Sequence, residues 1–354
     1  MWRGPPYPWR PPIAAGVSAS ELWFVAPRRA EVRLRDLPRP QRDETLVRAI
    51  RSAISAGTEL LVYRGELPAG MLADESIGAL RTAAHFPLRY GYALVGRVVE
   101  QGPTAGAPLA GRRVFAFAPH ASYALVGASD LIPLPDDVAS DDAALYPSVE
   151  TALTIVLDAR PLAGERVVVV GQGVVGLLVT ALLGRFPLGD LAVIDPLPIR
   201  CQRGVAVGAR WAGAPDEVDA LRARLGPGGA DLAIELSGRP EALDVALSCV
   251  GFAGRVVVGS WYGVKRAPVD LGGRFHRDRI TIVSSQVSTL PPTLSGRWDR
   301  ARRTAFVWEL IRTLQPSSLV TDRVPLADAP RLYERLDAGD PTLLQALITY
   351  DGDD

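Results

Sequence analysis

Histidine and cysteine are scarce in this sequence: three histidines (His85, His120, His276) and two cysteines (Cys201, Cys249) stand among 354 residues. A structural zinc site takes four Cys or His ligands, usually in paired short spacings, and these scattered residues cannot supply it. One disulfide between the two cysteines would carry little weight in so long a chain. Both are expected as small buried apolar side chains. Lysine is scarcer still, with Lys265 alone, so the basic charge is almost all arginine. Neither sign is in excess, Lys+Arg and Asp+Glu each totalling 39, which gives no reason to expect nucleic acid or an acidic membrane surface as partner. No apolar run is long enough to span a bilayer. The N-terminus has no secretory hydrophobic stretch. The expectation is a cytoplasmic protein whose partner is a small-molecule substrate.

What is present points to two domains, because 354 residues exceed what one core normally serves. The first 20 residues, rich in Pro, Gly and Ser, read as a flexible arm. From 21 to 150 the chain is β-rich: LWFVAP, AEVRLRDLP, TLVRAIRSAIS, YALVGRVVE and RRVFAFA are short β-branched and aromatic segments broken by Pro and Gly. From 151 to 288 apolar strands (RVVVV, LAVID, DLAIEL, RVVVGS, ITIVSS) alternate with helical segments, the pattern of a parallel sheet covered on both faces. Residues 289–354 return to mixed elements, with helices near 298–313 and 328–337. The fold class is α/β.

VVVVGQGVVG places Gly171, Gly173 and Gly176 in G-x-G-x-x-G spacing between a β-branched strand and an apolar helix that opens with Val174 and Val175. Asp195 ends the next strand, 19 residues beyond Gly176. That context is the dinucleotide-binding fingerprint: a tight turn, close backbone approach to a pyrophosphate, phosphates at a helix N-terminus and an acid on the ribose. Asp195 favours NAD(H) over NADP(H), since a 2′-phosphate beside it meets repulsion of about 4 kcal/mol per charge pair at 4 Å and an effective dielectric of 20. Arg200 and Arg203 follow closely and either soften that preference or form a solvated helix start. Trp261 and Tyr262 follow a strand at its C-terminal end, where open α/β sheets bind ligands. With the strand-end residues Ser237, Ser260 and Ser285 they complete the cofactor-binding candidates.

A β-rich first domain, a dinucleotide-binding middle and a C-terminal return resemble the medium-chain dehydrogenase/reductase superfamily, and SAISAGTEL, GYALVGRVVE and YPSVETAL resemble its catalytic-loop, Gly-His-Glu and domain-entry segments. GTELLVYRG, ETAL, GSWYG and FHRDRITIVSSQV are closer to a bacterial branch of zinc-type alcohol dehydrogenases, distantly similar to the bacteriochlorophyllide dehydrogenases. The resemblance implies a GroES-like β-rich catalytic domain plus a Rossmann doubly wound parallel sheet, and an NAD(P)-dependent oxidoreductase. It also marks where this chain departs. The family's metal ligands fall here on Ser55, Tyr92, Ala93 and Pro147, whereas catalytic zinc usually needs three protein ligands. No zinc is therefore expected.

Hydride transfer between an alcohol and a ketone still needs charge stabilisation and a proton carrier at the oxygen. Tyr92 is either a hydrogen-bond donor to the substrate or a packing residue. Glu150 directly precedes Thr151, the position that the resemblance places against the nicotinamide; its carboxylate acts as a base or pairs with an arginine. Ser55, Thr58 and Glu59 lie in the catalytic loop, and His120, in FAPHASY, is the preferred histidine. The leading expectation is a zinc-independent NAD(H)-dependent oxidoreductase. An enone or quinone reductase and a non-catalytic dinucleotide-binding protein are the competing readings. ITIVSS at a sheet edge suggests a homodimer.

Overall fold

The computed structural model of the chain describes residues 16–266 and 269–351. The N-terminal region builds two sheets. Strands β1 (Val17–Ala26), β2 (Arg29–Leu37) and β4 (Leu88–Arg89) form one, in the order β2-β1-β4. The other runs through β3 (Glu44–Ala53), β5 (Leu94–Gln101), β6 (Arg113–Ala116) and β8 (Leu131–Pro133), with β7 (Tyr123–Gly127) also on β3. Helix α1 (Ala56–Arg64) leaves the end of β3. It stops at Gly65, whose positive φ of 73° suits the left-handed C-terminal position. The loose arm expected over 1–20 ends sooner, because Val17 and Ser18 already pair with Leu37 and Asp36 in β1, and Ala19 is buried against Leu37 and Leu46. Residues 1–15 lie outside the described residues.

Helices α2 (Ser140–Ala143) and α3 (Tyr146–Ala159) lead to a six-stranded parallel sheet. Its strands are β9 (Arg166–Val170), β10 (Asp190–Ile194), β11 (Trp211–Gly213), β12 (Ala230–Glu235), β13 (Val250–Val258) and β14 (Thr281–Ser284). The order β11-β10-β9-β12-β13-β14 reverses direction between β9 and β12 and leaves β14 at an edge. Helices α4 (Val174–Leu183), α5 (Pro198–Ala206), α6 (Val218–Leu225), α7 (Ala242–Cys249) and α8 (Arg274–Arg277) belong to this unit. Val167, Val168 and Val169 are completely buried, as a β-branched strand covered on both faces must be. The switch in strand order opens a crevice at the carboxyl ends, the ligand site of such sheets.

The C-terminal return holds α9 (Arg300–Leu314), β15 (Val320–Pro325), α10 (Ala329–Asp337) and β16 (Gln345–Thr349). Strand β16 pairs antiparallel with β3, Leu347 opposite Ala53, and β15 continues that sheet. The sequence pattern did not reveal these strands, nor the short β11. Among the described residues no helix is long and apolar enough to cross a membrane. Cys249 is buried as expected, and burial pushes its thiol up to about 11. Cys201 is only half-buried; its thiol donates to the Asp195 carbonyl at 3.2 Å.

Helix α9 is locked to α3 by aromatic packing: the Trp308 ring lies 5.0 Å from Tyr146, which lies 5.0 Å from Phe115. Trp308→Ala should therefore cost about 3–5 kcal/mol, read as a lower urea midpoint. An unchanged midpoint would remove α9 from the shared core.

Candidate active site

Strands β3 and β5 are antiparallel neighbours, with Ser52 opposite Leu94, so the residues just beyond their ends meet although far apart in sequence. Ser55 and Thr58, at the start of α1, thereby reach Tyr92 in the approach to β5. Their side chains hydrogen-bond the half-buried phenol. Burial first, and the Glu59 charge second, push the Tyr92 hydroxyl up to about 12, against the opposing pull of Ser55 and Thr58. Behind this cluster Glu59 is fully buried. One of its oxygens accepts the Ser55 backbone N–H at 2.7 Å, and the other meets the Tyr333 hydroxyl and, at 3.0 Å, His120 Nε2. His120 is equally buried, and its Nδ1 lies 2.7 Å from Ser52 Oγ, itself 2.7 Å from the Tyr350 hydroxyl. Four expected residues (Ser55, Thr58, Tyr92 and His120) thus converge. Ser52, Tyr333 and Tyr350 carried no sequence signal, since the return of the C-terminal segment alone brings the two tyrosines here.

Glu150 does not join them. It pairs with Arg303 of α9 at 2.9 Å, both side chains being buried. Burial raises its carboxyl and the arginine opposes that shift. Arg303 also donates to the Val287 carbonyl at 2.7 Å. Thr151 spends its hydroxyl proton on the Pro147 carbonyl at 2.8 Å.

At the crevice, Gly171 adopts φ +95°, and a Cβ there would lie 2.7 Å from the Ser237 backbone. A Cβ on Gly176 would lie 2.0 Å from the Gly171 carbonyl oxygen. Gly173, at the start of α4, has nothing within 4 Å of its would-be Cβ and no side chain caps the helix there. The first N–H groups of α4, including those of Val174 and Val175, are left for an anion. This cradle fits a dinucleotide pyrophosphate. Asp195 is 3% exposed and binds protein on both oxygens: Oδ2 accepts the Gln172 N–H at 2.7 Å and Oδ1 the Leu197 N–H at 2.9 Å. Each oxygen keeps a second lone pair for a ribose hydroxyl. The Arg200 and Arg203 side chains have no ion-pair or hydrogen-bond partner among the described residues.

Across the crevice the buried Glu235 accepts from the Ser237 backbone N–H at 2.7 Å, from the Ser237 hydroxyl at 2.5 Å and from the Tyr262 hydroxyl at 2.6 Å. Burial first, then this carboxylate, raises the Tyr262 phenol. Ser260 Oγ accepts the Gly238 N–H at 2.9 Å, and Trp261 is exposed. Ser285 is committed to Asp158 at 2.6 Å. The loop after β13 leans on α1, Val264 N–H donating to the Glu66 carbonyl at 3.1 Å. That contact brings the crevice and the Tyr92 cluster to one side of the molecule. Glu235 was missed, although an acid ending the apolar strand DLAIEL was a usable signal.

No family model matches the chain. D-guloside 3-dehydrogenase of Escherichia coli (strain K12) is 26% identical over 308 residues, covering 82% of this chain and 88% of that protein. A zinc-dependent alcohol dehydrogenase from Streptococcus pneumonia superposes with a TM-score of 0.77 at 20% identity, covering 95% of this chain and all of that one. An alcohol dehydrogenase from Escherichia coli complexed with NADH superposes at 0.76 and 18% identity, with the same coverage. The relatives and structural neighbours are alcohol dehydrogenase-like oxidoreductases. The chain shares their fold, a β-rich unit joined to a six-stranded parallel sheet.

The zinc of some medium-chain dehydrogenases does not fit the residues present. Ser55 and Tyr92 offer neutral hydroxyls that bind each other, Ala93 is a buried methyl, and Pro147 has no donor side chain. Among the described residues no three His, Cys, Asp or Glu side chains converge on one point.

The glycines of the crevice turn separate packing from binding. Gly176→Ala forces the Gly-rich turn against α4 and should cost about 1–3 kcal/mol of stability. Gly173→Ala meets open space, so it should leave stability unchanged and weaken NADH binding in calorimetry. Equal melting of both variants would refute this assignment.

Proposed function

We propose that the chain transfers hydride between NAD(H) and an alcohol/carbonyl pair without zinc, Tyr92 donating a hydrogen bond to the substrate oxygen. The observation that carries this reading is the setting of the phenol. Ser55 and Thr58 hydrogen-bond the phenol; with both as donors to its oxygen, its own proton is left for a substrate, and burial beside Glu59 keeps that proton on. NAD(H), held at Gly171–Gly176, supplies or takes the hydride when bound. Tyr92 steadies the charge that develops on the carbonyl oxygen and passes its proton there, to be restored from solvent. We assign Glu150 to holding Arg303, and so α9, against α3, rather than to proton transfer. Ser285 likewise holds Asp158. Pairing of two chains through the β14 edge, where Val283 is exposed, belongs to the same reading.

A protonated phenol serves reduction directly, whereas oxidation needs the phenolate to take the alcohol proton. With the hydroxyl at about 12, roughly 10⁻⁵ of molecules carry phenolate at pH 7. Carbonyl reduction should therefore be nearly flat across neutral pH on this account, while alcohol oxidation rises about tenfold per pH unit. Tyr92→Phe should keep the fold and NADH affinity and lower reduction at least about tenfold, or 1.36 kcal/mol of barrier. Deuterium from labelled NADH should arrive on the carbonyl carbon, and elemental analysis should find far less than one zinc per chain. Normal turnover in Tyr92→Phe, or stoichiometric zinc that activity requires, would overturn the proposal. Label on the carbon β to the carbonyl would mark an enone reductase instead.

Cofactor preference follows from Asp195. NADH should bind more tightly than NADPH, and Asp195→Ala should narrow the gap by removing the charge that repels a 2′-phosphate. The same change strands the buried N–H groups of Gln172 and Leu197, so stability should fall by about 1–3 kcal/mol for each donor left unpaired. Equal affinities in the unchanged protein would remove Asp195 as discriminator and leave Arg200 and Arg203 as the deciding charges.

A further inference from the structure

We infer that Ser52, Glu59, His120, Tyr333 and Tyr350 form a one-directional hydrogen-bond chain in which His120 is neutral with its proton on Nε2, and that this chain is a positioning device for Ser55, Thr58 and Tyr92. The inference rests on the proposed role of Tyr92 for its catalytic meaning, but not for its geometry. No reading of the sequence joined these five residues, which come from β3, α1, the segment before β7, α10 and the residue after β16.

The proton inventory favours one direction. Ser52, Glu59 and His120 have no exposed surface, so each polar atom must be satisfied inside the protein. The Tyr350 oxygen accepts from the Ala121 backbone, and either hydroxyl of the Tyr350–Ser52 pair can donate; we take Tyr350 as the donor to Ser52 Oγ, the acceptor that lies 2.7 Å away. Ser52 then donates to His120 Nδ1, which must be unprotonated to accept. His120 Nε2 carries the hydrogen and donates to Glu59 at 3.0 Å. The opposite tautomer would aim a nitrogen lone pair at a carboxylate oxygen. An imidazolium would push its Nδ1 hydrogen onto Ser52, turn the serine proton towards Tyr350 and leave the tyrosine proton without its acceptor. Glu59 ends the chain as the shared acceptor, receiving His120 Nε2–H, the Tyr333 hydroxyl and the Ser55 N–H.

Two contacts carry this order to the cleft. Through the Ser55 N–H, Glu59 pins the first turn of α1, whose Ser55 and Thr58 side chains bind the Tyr92 phenol. His120 packs on Gly91, just before Tyr92, so closely that a Cβ at Gly91 would come within 2.5 Å of the ring. Gly91 also sits at φ +105°, a conformation that a side chain would strain. The backbone of Tyr92 is thus set by the histidine and its hydroxyl by the helix. His120 acts as a positioning residue and not as the proton carrier to substrate.

The test uses the full chain with ¹⁵N-labelled histidine and its long-range ¹H–¹⁵N spectrum, His120 being assigned by its loss in His120→Gln. At pH 7 the expected pattern is a neutral ring protonated at Nε2; the Nδ1–H tautomer or an imidazolium overturns the proposal whether or not any substrate turns over. The Tyr92 ¹³Cζ resonance reads the coupling. It should move in Glu59→Gln or, if that variant does not fold, in the milder Tyr333→Phe, and stay fixed in the control Tyr262→Phe. An unmoved Tyr92 signal in folded Tyr333→Phe overturns the coupling. Where turnover is measured, Tyr333→Phe should lower kcat roughly tenfold with KM and NADH affinity nearly unchanged, as for a misplaced catalytic group. An unchanged kcat overturns the positioning role. Absence of turnover on every carbonyl tried would sink the proposed function, while the two resonance measurements would still decide this one.

Discussion

A carboxylate with no access to water must gather its donors from the protein, and Glu59 does so from its own helix and from two distant parts of the chain. Its donors belong to the turn that starts α1, to the segment bearing His120 and to α10 of the C-terminal return. The Ser55 N–H is local to α1, but the Tyr333 hydroxyl arrives only when the C-terminal segment has folded back onto the first sheet, and His120 only when its segment has packed behind α1. A buried charge left short of donors is far more expensive than a missing neutral hydrogen bond. Completion of the fold and arrangement of the catalytic loop are therefore one event. The consequence for Tyr92 is electrostatic as well as geometric, because the same charge helps keep its phenol protonated.

The crevice end obeys the same rule with different partners. Asp195 is satisfied by the backbone of Gln172 and Leu197, which ties the Gly-rich turn to the start of the following helix. Glu235 is satisfied by Ser237 and Tyr262, which ties the end of β12 to the loop after β13. That loop reaches α1 through the Glu66 carbonyl. Buried carboxylates thus set both walls of the site, and each acts first on backbone N–H groups or protein hydroxyls. A ligand meets a surface whose acids are already engaged, and it binds to their remaining lone pairs.

What was legible in the sequence follows from the range of the interactions. The parallel sheet could be read because a β-branched strand such as RVVVV reports its own burial within five residues, and the glycine spacing reports a turn that only glycine fits at Gly171 and Gly176. The substitution of Ser55, Tyr92, Ala93 and Pro147 at the family's ligand positions was equally local. Strands β15 and β16 stayed hidden because the pairing of β16 with β3 joins distant parts of the chain, and no periodicity in DRV or QALIT announces a distant partner. Glu150 and Arg303 are separated by the whole Rossmann sheet, so an arginine partner could be named as a class but not as a residue. His120 could be named from its loop, yet its contacts to Ser52 and, through it, Tyr350 involve residues with no motif of their own.

On the proposed metal-free reading, the cleft asks something different of a substrate. A zinc ion would polarise an oxygen with a full charge and lower the proton affinity of a bound alcohol. A phenol offers only an oriented dipole, effective because it is preorganised and partly shielded from water. That dipole matches an oxygen gaining negative charge and does little for one that must first lose a proton. The chemistry it assists best is the delivery of hydride to a carbonyl whose carbon is already electron-poor. Because the dipole is weak, its aim matters more than a metal's would. On that reading, the buried chain behind Ser55, Thr58 and Tyr92 is the feature on which the cleft most depends.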